Sequence, residues 1–170
     1  MEIRRAEDKD SERIIELLQQ VCNIHADIRP DLFIYDGTKY SKEDLHEMYK
    51  DDTKPIFVAV GDLDNGGKKD NPDDNNNEIV QGYCFCQIKK TEGSRCIKPF
   101  AQIFIDDLCV DEKARGQHVG RQLFDYVKSY AKELGCYEIT LNVWEGNDSA
   151  RRFYENMGMK PKETQMEIIL

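Results

Sequence analysis

Gly116 and Gly120 bracket a short turn inside DEKARGQHVGRQLFDYVKSYAKELG, Asp111 to Gly135. Lys113, Arg115 and Arg121 place three cations around it, with no acid between the first and the last. A strand ending at Val110 and a helix starting near His118 would aim several unpaired backbone N–H groups at one point. The helix dipole adds partial positive charge there, and such a point binds phosphate. The loop is not a Walker A motif, which ends Gly-Lys-Ser/Thr. Nor is it a dinucleotide G-x-G-x-x-G, which needs a glycine near Gln117. A glycine turn can also do no more than connect a strand to a helix. The local basic excess, in a chain of formal charge −9, argues for an anion.

That overall charge makes duplex nucleic acid and anionic membranes poor partners, because both need a basic face. A cationic or amine-bearing partner suits it better. The opening MEIRRAEDKD has no apolar stretch of signal-peptide type, and no apolar run approaches the roughly eighteen residues of a membrane span. The expected compartment is the cytoplasm. Six cysteines, Cys22, Cys84, Cys86, Cys96, Cys109 and Cys136, contain no C-x-x-C pair and read as reduced thiols acting as small hydrophobes. Cys22 and His25 form a C-x-x-H pair with no second half, so no metal site is expected.

The elements that must position the turn follow from periodicity. Ile3 to Ala6 reads as a short strand, and Ile14, Leu17, Leu18 and Val21 as one face of a helix. Pro30 breaks that pattern in HADIRPDLFIYDGTKY, after which Ser41 and Asp44 approximate a capping box for a second helix. IFVAV, EIVQGYCFCQI and FAQIFIDDLCV read as strands. Between the first two, residues 62–78 are rich in Gly, Asn and Asp and are expected to form a flexible hairpin loop. In FAQIFIDDLCV, Ala101, Ile103 and Ile105 keep one parity, while Leu108 and Val110 keep the other. A β-bulge at Asp106-Asp107 produces such a switch; a strand buried on both faces would need none. Val119, Leu123, Val127, Tyr130 and Leu134 trace a helix stopping at Gly135. YEITLNV then alternates as a strand, Asn147 or Asp148 caps a last helix ending near Gly158, and QMEIIL closes as a strand. The expectation is one domain over 1–170, of α+β or mixed α/β class.

The residues now assembled resemble a family. DDLCVDEKARGQHVGRQLFDYV is similar to the pyrophosphate loop of the GNAT superfamily of N-acyltransferases, Arg/Gln-x-x-Gly-x-Gly/Ala, with Arg115 first, Gly120 last and His118 in place of the first glycine. NVWEGNDSARRFYENMGM is similar to that family's Asn-x-x-Ala-x-x-Phe-Tyr-x-x-x-Gly-Phe through Asn147, Ala150, Phe153, Tyr154 and Gly158, with Met159 for Phe. The likeness is close from Asp106 to Met159 and looser elsewhere. It implies a GNAT-like fold: a central, mixed and mostly antiparallel twisted sheet of six to seven strands with about four helices, bulged before the loop. It implies acetyl-CoA as acyl donor, with pantetheine on the backbone of Leu108, Cys109 and Val110. The pyrophosphate would lie against Arg115, Gly116, Gln117, His118, Val119, Gly120 and Arg121. His118 then needs only a helical φ, or adds a phosphate donor when protonated.

By the same resemblance, Asp106 is the base that deprotonates an acceptor amine, with Glu145 in reserve. The N–H of Leu108 polarises the thioester carbonyl, and Tyr154 is the acid for the departing thiolate. Asn147 holds the pantetheine arm or caps its helix, and Trp144 walls the slot. The acceptor falls to the loop after the first helix, where Asp27, Asp31 and Asp36 suit a cationic amine, Arg29 a carboxylate, and Tyr35 and Tyr40 form walls. The acceptor is thus a small-molecule or peptide amine, and a homodimer is compatible with the fold. The alternative is a GNAT-like module that binds acyl-CoA without turnover.

Overall fold

The computed structural model of the chain describes residues 1–62 and 78–170. In chain order it contains β1 (Glu2–Arg5), a 3₁₀ turn (Asp8–Asp10), α1 (Ser11–Ile28), α2 (Lys42–Tyr49), β2 (Ile56–Asp62), β3 (Glu78–Thr91), β4 (Phe100–Val110), a second 3₁₀ turn (Glu112–Ala114), α3 (Val119–Glu133), β5 (Glu138–Leu141) and α4 (Asp148–Asn156). The strands form one sheet in sequence order, antiparallel up to β4 and parallel between β4 and β5. This is the mixed α/β sheet with four helices that was expected. The interior of the loop placed at 62–78 lies outside the described residues.

Two apolar layers sandwich the sheet. On one face, Ile14, Leu17 and Leu18 of α1 and Leu45 of α2 meet Ile56, Val58, Val80, Tyr83 and Phe85. On the other, Val119, Leu123, Phe124 and Val127 of α3 meet Phe57, Ala59, Cys84, Cys86, Ile103 and Ile105. Alternate residues of β2 and β3 therefore feed opposite layers, which is why IFVAV carries no polar position. Each fully buried Leu or Ile contributes about 1.5–3 kcal/mol. Ser41 opens α2 as read: its hydroxyl accepts from the Asp44 N–H at 3.1 Å while Asp44 Oδ2 accepts from the Ser41 N–H at 2.9 Å. All six cysteines are free.

The sheet has five strands among the described residues, fewer than the six or seven expected. Gln165–Leu170 pairs with nothing there. Met166, Ile168 and Ile169 are 85%, 83% and 76% exposed, and the segment is held by Lys162 on Glu138 and by Glu167 on Arg29. Alternation of apolar residues marks strand propensity but does not supply the partner a strand needs. β5 also stops at Leu141 rather than Val143, because its partner β4 leaves it there.

That departure is the bulge. Phe85 of β3 faces Asp107 and Cys86 faces Ile105, so Asp106 is the extra residue on β4. Ile103 and Ile105 before it, and Leu108 and Val110 after it, all join the α3 layer, as the parity switch required. Cys109 goes to the other layer. β4 pairs with β5 from Gln102 to Ile105 and no further. From Asp106 to Val110 the strand is bonded to β3 alone.

Candidate active site

Four elements converge on the open side of β4: the bulge, the turn into α3, α4, and the loop from α1 to α2. The turn is fixed from below. Asp111 is 1% exposed and ion-paired with Arg13 of α1. Its N–H bonds the Gln81 carbonyl at 2.8 Å and its side chain accepts from the Lys113 N–H at 2.9 Å. The chain then runs through Gly116 and His118 with φ of 80° and 63°. His118 is thus the left-handed N-cap of α3, not the helical residue expected. The turn reverses so tightly here that the position has the geometry glycine favours. His is among the types that enter this region, at a cost of about 1–2 kcal/mol.

α3 begins without a side-chain cap and without an acid in its first turn. Gln122 makes the first intrahelical bond, to the His118 carbonyl, at 3.0 Å. The N–H groups of Val119, Gly120 and Arg121 are left for an outside acceptor, at the positive end of the dipole. Arg115 bonds the Val110 carbonyl at 3.4 Å, and Gln117 folds back on the Lys113 carbonyl at 3.4 Å. Gly120 is packed against α4 and β4: a Cβ there would touch Phe153 and Val110 at 3.4 Å, at ordinary van der Waals distance.

Tyr154 projects from α4 into the layer beside Phe124 and Phe153, with ring centroids 6.2 and 5.0 Å away. Its phenol pKa is raised by burial first and then by Cys84, Asp107 and Cys109, so it stays protonated at neutral pH. α4 ends within one turn of Tyr154, at its C-cap Met157, with Gly158 at φ 90° and the Met159 N–H on the Tyr154 carbonyl at 3.0 Å. Asn147 caps α4, its Oδ1 accepting from the Ala150 N–H at 3.2 Å.

On the loop expected to receive the acceptor, the side chains are occupied by one another. Tyr35 donates to Asp27 at 2.7 Å, and Arg29 grips Asp31 at 2.8 Å and Glu167 at 2.7 Å. The Arg29 guanidinium lies over Trp144, 5.8 Å from the ring centroid, and Trp144 meets Phe33 edge-on at 5.4 Å. Asp36 anchors to Asn23. Glu145 is 92% exposed and paired with Arg151, away from the bulge's own contacts. Asp106 is different: its Oδ2 accepts from Lys39 Nζ at 2.6 Å and from the Tyr40 hydroxyl at 3.0 Å, and it is 15% exposed. Tyr40 stacks on Phe85, and burial, then the Asp106 charge, raises its pKa.

Three residues that bond at the bulge were missed by the sequence reading. Asp107, beside Asp106, turns inward and accepts from Tyr83 at 3.1 Å; burial pushes its carboxyl up to about 6. The parity that put Leu108 and Val110 in one core already placed Asp107 with Cys109, but two adjacent acids in a strand read as a solvated pair. Lys39 and Tyr83 gave no local signal, since their partners lie 67 and 24 residues away.

The chain belongs to the acetyltransferase (GNAT) family, whose sequence model matches residues 18–159. It is similar to glucosamine 6-phosphate N-acetyltransferase of Arabidopsis thaliana, 34% identical over 62 residues, which is 36% of this chain and 40% of that protein. The enzyme of the same name from Trypanosoma brucei brucei is 30% identical over 84 residues, 49% of this chain and 52% of that protein. The chain thus spans about half or less of the curated relatives it matches. Among solved structures, a tetramutant of the BH1408 protein from Bacillus halodurans superposes with a TM-score of 0.87 at 26% identity, over 100% of both chains.

Proposed function

We propose that the protein transfers an acetyl group from acetyl-CoA to a primary amine of a small molecule or peptide, by direct attack in a ternary complex. One observation carries this reading: β4 is bonded on both sides up to Ile105 and on one side from Asp106 on, immediately before a helix N-terminus with no cap or acid of its own. The backbone of Leu108, Cys109 and Val110 suits a strand-like amide arm. The N–H groups of Val119, Gly120 and Arg121, with Arg115, Gly116, Gln117 and His118 around them, suit a pyrophosphate. Acetyl-CoA bound there supplies an acyl thioester.

The protein's own groups meet the needs of such chemistry. Asp106, at the mouth of the opening, draws an ammonium in and takes its proton. The Leu108 N–H on the free side of the strand faces developing negative charge as an oxyanion donor. Tyr154, kept protonated by burial, delivers a proton to the sulfur side. Asn147 can meet the arm while capping α4. Asp107 supports this set from beneath through Tyr83.

The acceptor must displace the loop's internal pairs, offering an ammonium to Asp106 and polar groups to Asp27, Arg29, Asp31 and Tyr35. The glucosamine 6-phosphate of the matched enzymes is therefore one member of the panel to try. No helix among the described residues is long and apolar enough to cross a membrane, and with its free thiols we assign the protein to the cytoplasm. A homodimer would form at the outer edge of β5. That edge borders a groove of about 250 Å³ lined by Phe124, Ala131, Ile139, Met157 and Met159, and the same chain carries the unpaired apolar segment Gln165–Leu170 to meet it.

The test is equilibrium binding of acetyl-CoA followed by thiol release against amines, including glucosamine 6-phosphate, a polyamine and a peptide amine. Saturable binding with acceptor-dependent release is expected. Binding with no release across the panel would make the protein an acyl-CoA-binding module instead.

A further inference from the structure

Lys39 holds the position that an acceptor amine needs. Its Nζ lies 2.6 Å from Asp106 Oδ2, on the residue that the bulge adds to β4, where β4 parts from β5. The Tyr40 hydroxyl bonds the same oxygen at 3.0 Å, so two donors from one loop converge on one carboxylate oxygen. The other ion-paired lysines, among the described residues, face carboxylates elsewhere: Lys9 on Glu7, Lys42 on Glu12, Lys50 on Glu47, Lys54 on Asp51 and Lys162 on Glu138. Lys39 alone is paired to the opening. Its side chain is 46% exposed, so it is neither sealed in nor free in solvent. Its charge is felt deeper in the site: burial first, and then Lys39, lowers the pKa of His25, and after the Tyr83 hydrogen bond Lys39 opposes the burial-driven rise at Asp107.

We infer that Lys39 is an internal acyl acceptor: with acetyl-CoA bound and no external amine present, the protein acetylates its own Lys39 Nζ. The inference rests on the acetyltransferase reading above and names a substrate of that same site. The ammonium first passes a proton to Asp106. The free amine nitrogen then forms a bond to the acetyl carbonyl carbon while the carbon–sulfur bond breaks. Of the two protons Lys39 loses, one ends on the sulfur of CoA and the other leaves through Asp106 to water; the amide nitrogen keeps the third. No oxidant or reductant is needed.

The product is a neutral amide. It can no longer pair with the carboxylate, so Asp106 is released to an incoming ammonium and the loop loses one of its ties to the sheet. An external amine and Lys39 must compete for the same oxygen, so the acceptor protects Lys39 from modification. Because Lys39 is tethered to its loop and held by Asp106, self-transfer is slower than transfer to a good acceptor.

The experiment incubates the full chain with acetyl-CoA and no acceptor, then maps acetylated lysines by peptide mass. The expected result is a gain of one acetyl group at Lys39, at least about tenfold faster than at Lys50, since a held amine has a large effective concentration. Asp106→Asn should slow the mark at Lys39 and leave the surface lysines unchanged, with circular dichroism checking the fold. Lys39→Arg should leave the chain unmarked at that position, and a saturating acceptor should suppress the mark in the unaltered protein. Equal, slow acetylation of Lys39 and Lys50 in a protein that releases thiol against the amine panel overturns the inference and leaves the acetyltransferase reading standing. Absence of both release and mark removes the two together.

Discussion

The two halves of the opening are built on opposite principles. The half made by β4, α3 and α4 leaves much of its backbone unused: one side of β4 past Ile105 has no strand partner, the first N–H groups of α3 have no cap, and the Tyr154 hydroxyl has no protein hydrogen bond among the described residues. The half made by the loop after α1 uses nearly all of its own polar groups. Asp27 holds Tyr35, Arg29 holds Asp31 and Glu167, and Asp106 holds Lys39 and Tyr40. Rigid elements can keep backbone groups vacant because strand and helix geometry is maintained elsewhere, whereas a loop of charged side chains pairs internally unless something better arrives. On the acetyltransferase reading proposed above, the first half is ready for a ligand, and the second must exchange contacts to take one.

The largest expected effect lies in the vacant half. Tyr154→Phe keeps the ring against Phe124 and Phe153 and removes only the hydroxyl. Turnover with the best acceptor should fall on the order of 10²-fold or more, with acetyl-CoA affinity little changed. Near-normal turnover under conditions where chemistry limits the rate would reduce Tyr154 to packing. Loss of acetyl-CoA binding would give the hydroxyl a ground-state role.

Next in size is an effect of pH where the halves meet. Burial raises the Asp107 carboxyl to about 6 in the folded protein, while the unfolded chain exposes it at about 3.9. Between those values the folded protein holds a proton that the unfolded chain has released. Asp107's contribution to stability is therefore fullest below about pH 4, falls as pH rises through about 6, and stays low above that, a swing on the order of 3 kcal/mol. Asp107→Asn keeps an acceptor for Tyr83 and removes the titration. Relative to the unaltered protein, the variant should gain stability across that window in urea melts. Parallel pH profiles would mean that the partly exposed Asp107 is hydrated enough to keep an ordinary carboxyl pKa.

How far the sequence could carry this division follows from the range of the interactions. The turn, the bulge and the Tyr154 helix were legible because each is written in adjacent residues: basic residues around two glycines, a parity switch within one strand, an Asn cap and its Phe-Tyr pair. The sheet was legible apart from its edge, where QMEIIL has the alternation of a strand and no partner. The acceptor side was legible as residue types but not as pairs. Nothing local tells that Arg29 is held by Glu167, 138 residues away, or that Lys39 reaches Asp106. Asp107 was hidden by Asp106, since what separates these two neighbouring, partly exposed acids is their partners, Tyr83 for one and Lys39 and Tyr40 for the other, rather than residue type.

The smallest expected effect tests whether the vacant half carries strain at its entrance. His118 sits at φ 63° and ψ 14° with no side-chain cap bond, a conformation that costs a side-chain-bearing residue about 1–2 kcal/mol. Glycine adopts it freely but gives the unfolded chain more entropy to lose, about 0.5–1 kcal/mol. The difference leaves a net stabilisation of about 0–1.5 kcal/mol for His118→Gly, read as a small rise in the urea midpoint at unchanged slope. Acetyl-CoA affinity should hold, because the backbone N–H groups that suit a pyrophosphate stay in place. A loss of affinity that grows as pH falls through the histidine range would instead assign the imidazolium to the phosphate. A lower urea midpoint would mean that contacts of the ring, and not the backbone alone, hold the turn in its left-handed form.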